Sequence, residues 1–365
     1  MTHPFRNPTT PTFALRLAAF ACLALGTPSF ALADASTEAV GFSRIAAPGN
    51  SDTIVSLPFK RTAAFVGKIS SVADNVITVQ GSPAWATAPQ QFAYATGTQP
   101  NTYYAFIKSG PREGTYFTIT GNGSNTLTLD LAGSDLAGVD NTTALEVVPY
   151  WTLGTVFPGG SGVNASTDES HRQTDILVPD VAANGINVPA AKTYFFAGGH
   201  WQQVGQGAAS RDDDCLLPDS FLTIRHKVSA GTFLNPAGEV VFTKLAVALA
   251  TSATGRQDNF VALARPVPVS LDNSGLITSG AFSSSPNNLA RTDELLFFDN
   301  IAAKTGKSAS AVYFYAGGMW RKVGSGNTNV GATNVFMPGT GVVIRKNSTV
   351  GGATAIWSNT PTYSN

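Results

Sequence analysis

The chain is short of charge and almost free of cysteine. Asp, Glu, Lys and Arg make up 13% of its 365 residues, about half the usual share, and 23 basic residues balance 23 acidic ones. No basic field exists to hold nucleic acid or anionic lipid by charge alone. Of two cysteines, Cys22 falls in a leader-like run, so Cys215 stands alone in the remainder and no intramolecular disulfide forms. Modules of about 100 residues bury enough apolar surface without one. The apolar run Leu17 to Leu25 is too short to span a bilayer, which takes about 20 residues.

Catalytic and metal motifs are missing too. There is no G-x-S-x-G nucleophile elbow and no complete phosphate loop: Gly306-Lys307-Ser308 matches only the tail of one, with Ile301 in place of its first glycine. His171, His200, His226, Cys215 and the Asp212-Asp213-Asp214 run contain ligand residue types without ligand spacing, so no metal or cofactor is expected. A calcium loop alternates oxygen donors and carries a glycine, which the acid run does not. No catalytic residue is assigned.

What the chain has in quantity is Gly, Ser, Thr and Asn, with short alternating runs and one internal repeat. Arg6 and Arg16 precede the apolar run, Gly26 and Pro28 break it, and Ala31-Leu32-Ala33 offers small residues where a signal peptidase reads. Residues 1–33 are therefore expected to be a signal peptide and the chain to be exported. Removal of Arg6 and Arg16 leaves a formal charge of −2.

Residues 193–207, TYFFAGGHWQQVGQG, and 312–326, VYFYAGGMWRKVGSG, are identical at nine of fifteen positions without a gap. The match extends from Thr174-Asp175 against Thr292-Asp293 to Ile224-Arg225 against Ile344-Arg345. A duplicated unit makes shared positions architectural before they are catalytic. The division that follows is 34–149 as an N-terminal β module, 150–255 as the first repeat unit and 256–365 as the second.

Period-two runs such as Phe65-Val-Gly-Lys-Ile69, Asn75-Val-Ile-Thr-Val79, Tyr103-Tyr-Ala-Phe-Ile107, Thr115-Tyr-Phe-Thr-Ile119 and Thr126-Leu-Thr-Leu-Asp130, split by Gly, Asn and Pro, predict antiparallel strands. The fold expected is mainly β: a small antiparallel barrel or sandwich, then two duplicated β-modules. In each repeat a Gly pair turns a hairpin, placing Phe196 near Trp201. Two stretches read as helical, Asp293 to Lys304 and, more weakly, Val178 to Ala183.

The segments YFYAGGMWRKVGSG, FMPGTGVVIRKN and WSNTPTY, with FVGKISSV and YYAFIKSGPREGTYFTITGNGSNTLTLD in front, resemble an uncharacterised family of secreted β-rich proteins found mainly in verrucomicrobial genomes. The resemblance covers most of the chain beyond the leader. It implies export and a β-rich envelope protein, and no reaction. The first repeat copy departs from the pattern where Arg211-Asp-Asp-Asp-Cys215 replaces Val330-Gly-Ala-Thr-Asn334.

The leading functional expectation is an exported, non-enzymatic envelope or matrix protein with a structural or adhesive role, partnered by polysaccharide or other envelope proteins. The alternative is a carbohydrate-binding array in which Tyr194, Trp201, Tyr313 and Trp320 stack on sugar rings. Against it, a Trp in a small β-hairpin commonly fills the core. Asp175/Asp293 and Arg225/Arg345 recur in both copies, either lining a site or forming structural pairs. A polysaccharide-active enzyme and an outer-membrane barrel rank below these.

Overall fold

In the computed structural model the described residues are 38–87, 90–349 and 352–364. The expected signal peptide, 1–33, lies outside them. No helix among them is long and apolar enough to cross a membrane.

The alternating runs of the front half form strands Phe65–Ala73, Val76–Val79, Tyr103–Ile107, Tyr116–Asn122, Thr126–Asp130 and Ala144–Pro149, which close into a six-stranded antiparallel barrel. Alternation sends Ile69, Ile77, Ile107, Ile119, Leu127 and Leu145 to one shared interior. Trp85 and Phe92, from the long connection before Tyr103, pack with these residues, edge-to-face with Phe65, with each other and with Tyr103 at centroid distances of 4.9, 5.1 and 5.2 Å. An apolar interior is the inverse of a membrane barrel, whose lumen is polar.

Two five-stranded sheets follow the same order. The first runs His200–Gln203, Ala190–Ala197, Thr174–Pro179, Leu222–His226, Asp52–Val55. The second runs Met319–Lys322, Ala311–Ala316, Glu294–Phe297, Gly341–Lys346, Gln257–Ala262. Phe196 pairs with Trp201 and Tyr315 with Trp320 across hairpins turned by Gly198-Gly199 and Gly317-Gly318, all four glycines at positive φ.

The fifth strand of the first sheet comes from upstream of the barrel. Its counterpart, Gln257–Ala262, is contiguous with the second module, whereas Asp52–Val55 reaches its sheet across the barrel residues. Just before each lies a related segment, Val40-Gly-Phe-Ser-Arg-Ile-Ala46 and Val240-Val-Phe-Thr-Lys-Leu-Ala246. Ile45–Ala47 pairs with Thr232–Leu234, as Leu245–Ala250 pairs with Thr354–Asn359. The repeated pattern thus spans residues 40–60 with 150–239, then 240–364, and the barrel sits inside the first copy.

The helical reading of Asp293 to Lys304 is corrected. Glu294–Phe297 is a central strand, paired on both sides, and Leu295 is fully buried. Pairing to a strand on each side outweighs the helix propensity of this short run. Val178 to Ala183 is the end of a strand and a turn. Register also shifts the repeat alignment by one residue at its start. Asp175 lies opposite Arg225 and Glu294 opposite Arg345, so Asp175 corresponds to Glu294, and Thr174 to Asp293. The arginines three residues earlier agree: Arg172 Nε donates to Asp175 at 2.9 Å and Arg291 Nε to Glu294 at 2.5 Å.

The modules close each other's open edges reciprocally. Asp52 N–H donates to Lys304 O, and Asp258 N–H to Gly185 O, both at 2.9 Å. Asp52 Oδ2 accepts from Gly306 N–H, and Asp258 Oδ2 from Asn187 N–H, both at 2.8 Å. Ser56 N–H meets Gly339 O, and Ala262 N–H meets Asp219 O, again at 2.9 Å. Asn187 and Gly306 share a positive φ, 53° and 61°. Such exchange of equivalent contacts is the pattern of a two-fold interface, here within one chain. Phe221, Phe260, Val343 and Phe298 fill the space between.

One buried position has been solved differently in the two copies. In the second, Lys346 forms an ion pair with Asp293. In the first, His226 is fully buried, with Nδ1 2.8 Å from Thr174 Oγ1 and Nε2 2.9 Å from Thr232 Oγ1. Thr232 donates to Gly162 O at 2.6 Å, which casts His226 Nε2–H as donor, and the Asn164 amide N–H faces Nδ1 at 3.2 Å, which makes Nδ1 an acceptor and the ring neutral. Burial holds its pKa below the ordinary value. A base whose folded pKa is depressed stabilises the fold above its unfolded pKa, about 6.5, and loses that contribution as pH falls below it. Thermal melts between pH 7.5 and 5 should therefore show a smaller acid-side loss in His226→Gln than in the parent chain. Equal slopes would remove His226 as the cause.

Candidate functional site

The four residues proposed as a sugar platform are core. Trp201 and Trp320 are 0% and 1% exposed, and Tyr194 and Tyr313 are buried beside them. Trp201 packs against Phe157 and Phe196 at 5.4 and 5.6 Å, and Trp320 against Phe282 and Tyr315 at 5.0 and 5.6 Å. These indoles present no open face to a ligand, which corrects the expectation of twin aromatic anchors. The sheet face they share is covered by each module's own core.

The other flagged residues serve the architecture. Asp212 Oδ1 accepts from Trp201 N–H at 2.8 Å and Asp214 Oδ2 from the Tyr194 hydroxyl at 2.5 Å, while Asp213 is exposed. Arg225 forks onto Asp52 at 2.7 Å through both Nε and Nη2. Arg345 does the same to Asp258 at 2.7 and 3.0 Å. Asp175 is held by Arg172 and Lys227, and Asp293 by Lys346. Cys215 is partly buried, and burial raises its thiol pKa, which disfavours the reactive thiolate. Among the described residues, no three His, Cys, Asp or Glu side chains are grouped to hold a metal ion.

A candidate site lies where the barrel meets the modules. Tyr104, Phe106, Val148 and Tyr150 on the barrel's outer wall pack with Val241 and Ala264 of the second module. Beneath them Lys60 joins Glu239 and Glu146, the latter at 3.2 Å, and Lys108 reaches Glu146 at 2.5 Å. Beside this seam opens a groove of about 610 Å3. Its barrel side is Arg112 and Thr115 to Thr118 with Asp130 to Asp135; its module side is the outer face of two paired strands, Ala246 and Ala248 beside Thr354 and Ile356, with Leu217 and Asp219 of the first module. That face follows from alternation, because Val247, Leu249 and Trp357 point into the core instead.

At the groove's inner end Tyr116 donates its hydroxyl to Asp219 Oδ1 at 2.8 Å, and Tyr150 and Thr118 share a hydrogen bond at 2.8 Å. Tyr104 stands 4.7 Å from Tyr150 and 5.4 Å from Tyr116, closing the end except for a recess of about 40 Å3. Burial raises the pKa of the Asp219 carboxyl from its ordinary value, against the pull of its bond to Tyr116. Burial likewise raises the Tyr116 and Tyr150 phenols, so both remain neutral hydroxyls. The arrangement offers hydroxyl and carboxyl groups at one end and aliphatic walls along its length. No cluster of nucleophile, base and orienting group is assembled there.

Sequence reasoning passed over Tyr116, Tyr150 and Asp219. A signal existed for Asp219: within otherwise matching Pro218-Asp219 and Pro338-Gly339, only the first copy carries a side chain. No family model, curated protein or solved structure matches the chain.

Two outcomes test this assignment. Trp320→Ala should cost about 3–5 kcal/mol in urea unfolding, the range for a large buried ring; a near-silent change would restore it as a surface residue. Tyr116→Phe removes the donor that stabilises ionised Asp219, so the carboxyl should titrate higher still by NMR. Loss of such a bond to a charged group costs about 1.5–3 kcal/mol. An unmoved titration would show that the two groups are not coupled.

Proposed function

We propose that the chain is an exported, non-enzymatic β-protein of the cell envelope or extracellular matrix, acting through structure and adhesion. The observation that carries this reading is the interlocked body: each module finishes the other's open sheet edge, and the barrel is fixed to both by buried ion pairs and aromatic packing. Blunted edges and a rigid scaffold suit a protein that must persist outside the cell without pairing to neighbours. The leader-like start with Ala31-Leu32-Ala33, the low charge and the resemblance to a secreted family support export. The two modules are read as products of a duplication, with the barrel placed inside the first.

Adhesion then belongs to the groove rather than to the paired tryptophans. The chain, expressed with its own leader and fractionated, should appear outside the cytosol beginning at Asp34. An intact, uncleaved chain in the cytosol would overturn the export reading. Release of reducing ends from a polysaccharide by the purified protein would overturn the non-enzymatic one.

A further inference from the structure

We infer that the groove between the barrel and the two modules binds a neutral oligosaccharide segment, which rests on the adhesive reading above and gives it a ligand class. Its volume of about 610 Å3 falls within the range of small-ligand sites, roughly 300–1,000 Å3. The inner end supplies oriented groups of both kinds: Tyr116 spends its proton on Asp219, leaving the carboxyl as an acceptor, and the Thr118–Tyr150 pair keeps one hydroxyl proton free to donate beside its acceptor lone pairs. Ala246, Ala248 and Ile356 line the length with aliphatic surface, and Ile356 is 44% exposed. A sugar ring matches this division, since its C–H face is apolar and its edge is a row of hydroxyls.

Charge selects among the alternatives. Asp135 is paired with Arg112, which leaves Asp130, exposed at the rim, and Asp219, bonded to Tyr116, as the other acidic groups of the lining. The unpaired charge on the lining is therefore carboxyl only, which repels an anionic polymer, while two separated carboxyls give too little field to hold a cationic one by charge alone. The mixture of polar and aliphatic lining also argues against a purely apolar ligand, which gains nothing from hydroxyls it cannot satisfy.

The site is built by juxtaposition, not by the repeat. In the second copy Gly339 stands where Asp219 does, and a Cβ there would lie 2.4 Å from Ile45 Cδ1. No barrel strand carries a tyrosine to meet that position, because the barrel is inserted only in the first copy. One site per chain follows, despite two modules.

Isothermal titration of the chain from Asp34 onward would use soluble neutral β-glucan, xylan and mannan oligosaccharides, with alginate, chitosan and an unfolded peptide as comparators. At least one neutral glycan should bind at one site per chain. Ala248→Trp fills the groove from an exposed position and should weaken that binding about tenfold or more with an unchanged melting temperature. Thr354→Trp blocks the same wall from the paired strand, so it reports if the first variant melts early. Undiminished binding in both variants would place the glycan elsewhere, overturning the groove while leaving adhesion intact. Binding of only the charged polymers or the peptide would overturn the ligand class. No binding by the intact chain to any polymer would overturn the inference and the adhesive reading together, while localisation would still test export separately.

Discussion

The joining of the two modules depends on two carboxylates at two sheet edges. Asp52 and Asp258 each take a fork from an arginine on the neighbouring strand and a backbone N–H from the other module. An edge strand left alone is an invitation to pair with another chain. Here the edge is consumed inside the molecule, and the Asp–Arg pair fixes its register because a slip by one residue would turn the carboxylate to the opposite face. The two-fold exchange of contacts makes the modules mutually dependent: neither sheet is finished without a loop from its counterpart. Arg225 and Arg345 recur in the sequence for this reason.

The barrel is a different problem, because it has no edge and must be attached by its wall. Its two ends are tied where the chain enters and leaves: Trp151 Nε1–H donates to Phe59 O at 2.9 Å and Arg61 to Tyr150 O at 3.0 Å. Between wall and modules the buried Lys60, Glu146 and Glu239 restrict docking to one geometry, since any other leaves a charge buried without its partner, at roughly 3–5 kcal/mol. Apolar contact alone would tolerate sliding. The groove's two walls therefore keep a fixed separation even though they belong to different parts of the chain.

The local elements were legible and the long-range ones were not. The barrel strands followed from alternation, and the hairpin turns from Gly198-Gly199 and Gly317-Gly318, because both signals act within a few residues. Which face of a strand is covered is not a local property, so Trp201 and Trp320 read equally well as platform or core until their surroundings were known. Asp52–Val55 was hidden for another reason: the inserted barrel separates it from its sheet, and Ser43-Arg44-Ile45 resembles Thr243-Lys244-Leu245 only by conservative exchange. The Thr-Asp identity at 174–175 and 292–293 misled, because cross-strand pairing sets the true register one residue away.

Where the copies differ is more informative than where they agree. Shared residues pay the common architectural cost: turn glycines, core tryptophans, edge arginines. Differences mark what one copy was free to change, and their neighbours show what the change required. At the Thr174–His226 position the substitution for Asp293–Lys346 is compensated within the module, a neutral hydrogen-bonded pair standing for an ion pair. At Asp219 the compensation comes from outside the module, from the Tyr116 hydroxyl on the barrel. The backbone there still makes the bond that Gly339 makes, to Ala262 rather than Ser56, so the frame common to both modules is unaltered. Asp219 thus adds a side-chain contact to an architectural position without disturbing it, and it does so only because the barrel supplies the partner. A repeat by itself builds two equal faces; the insertion breaks that equality and makes the groove.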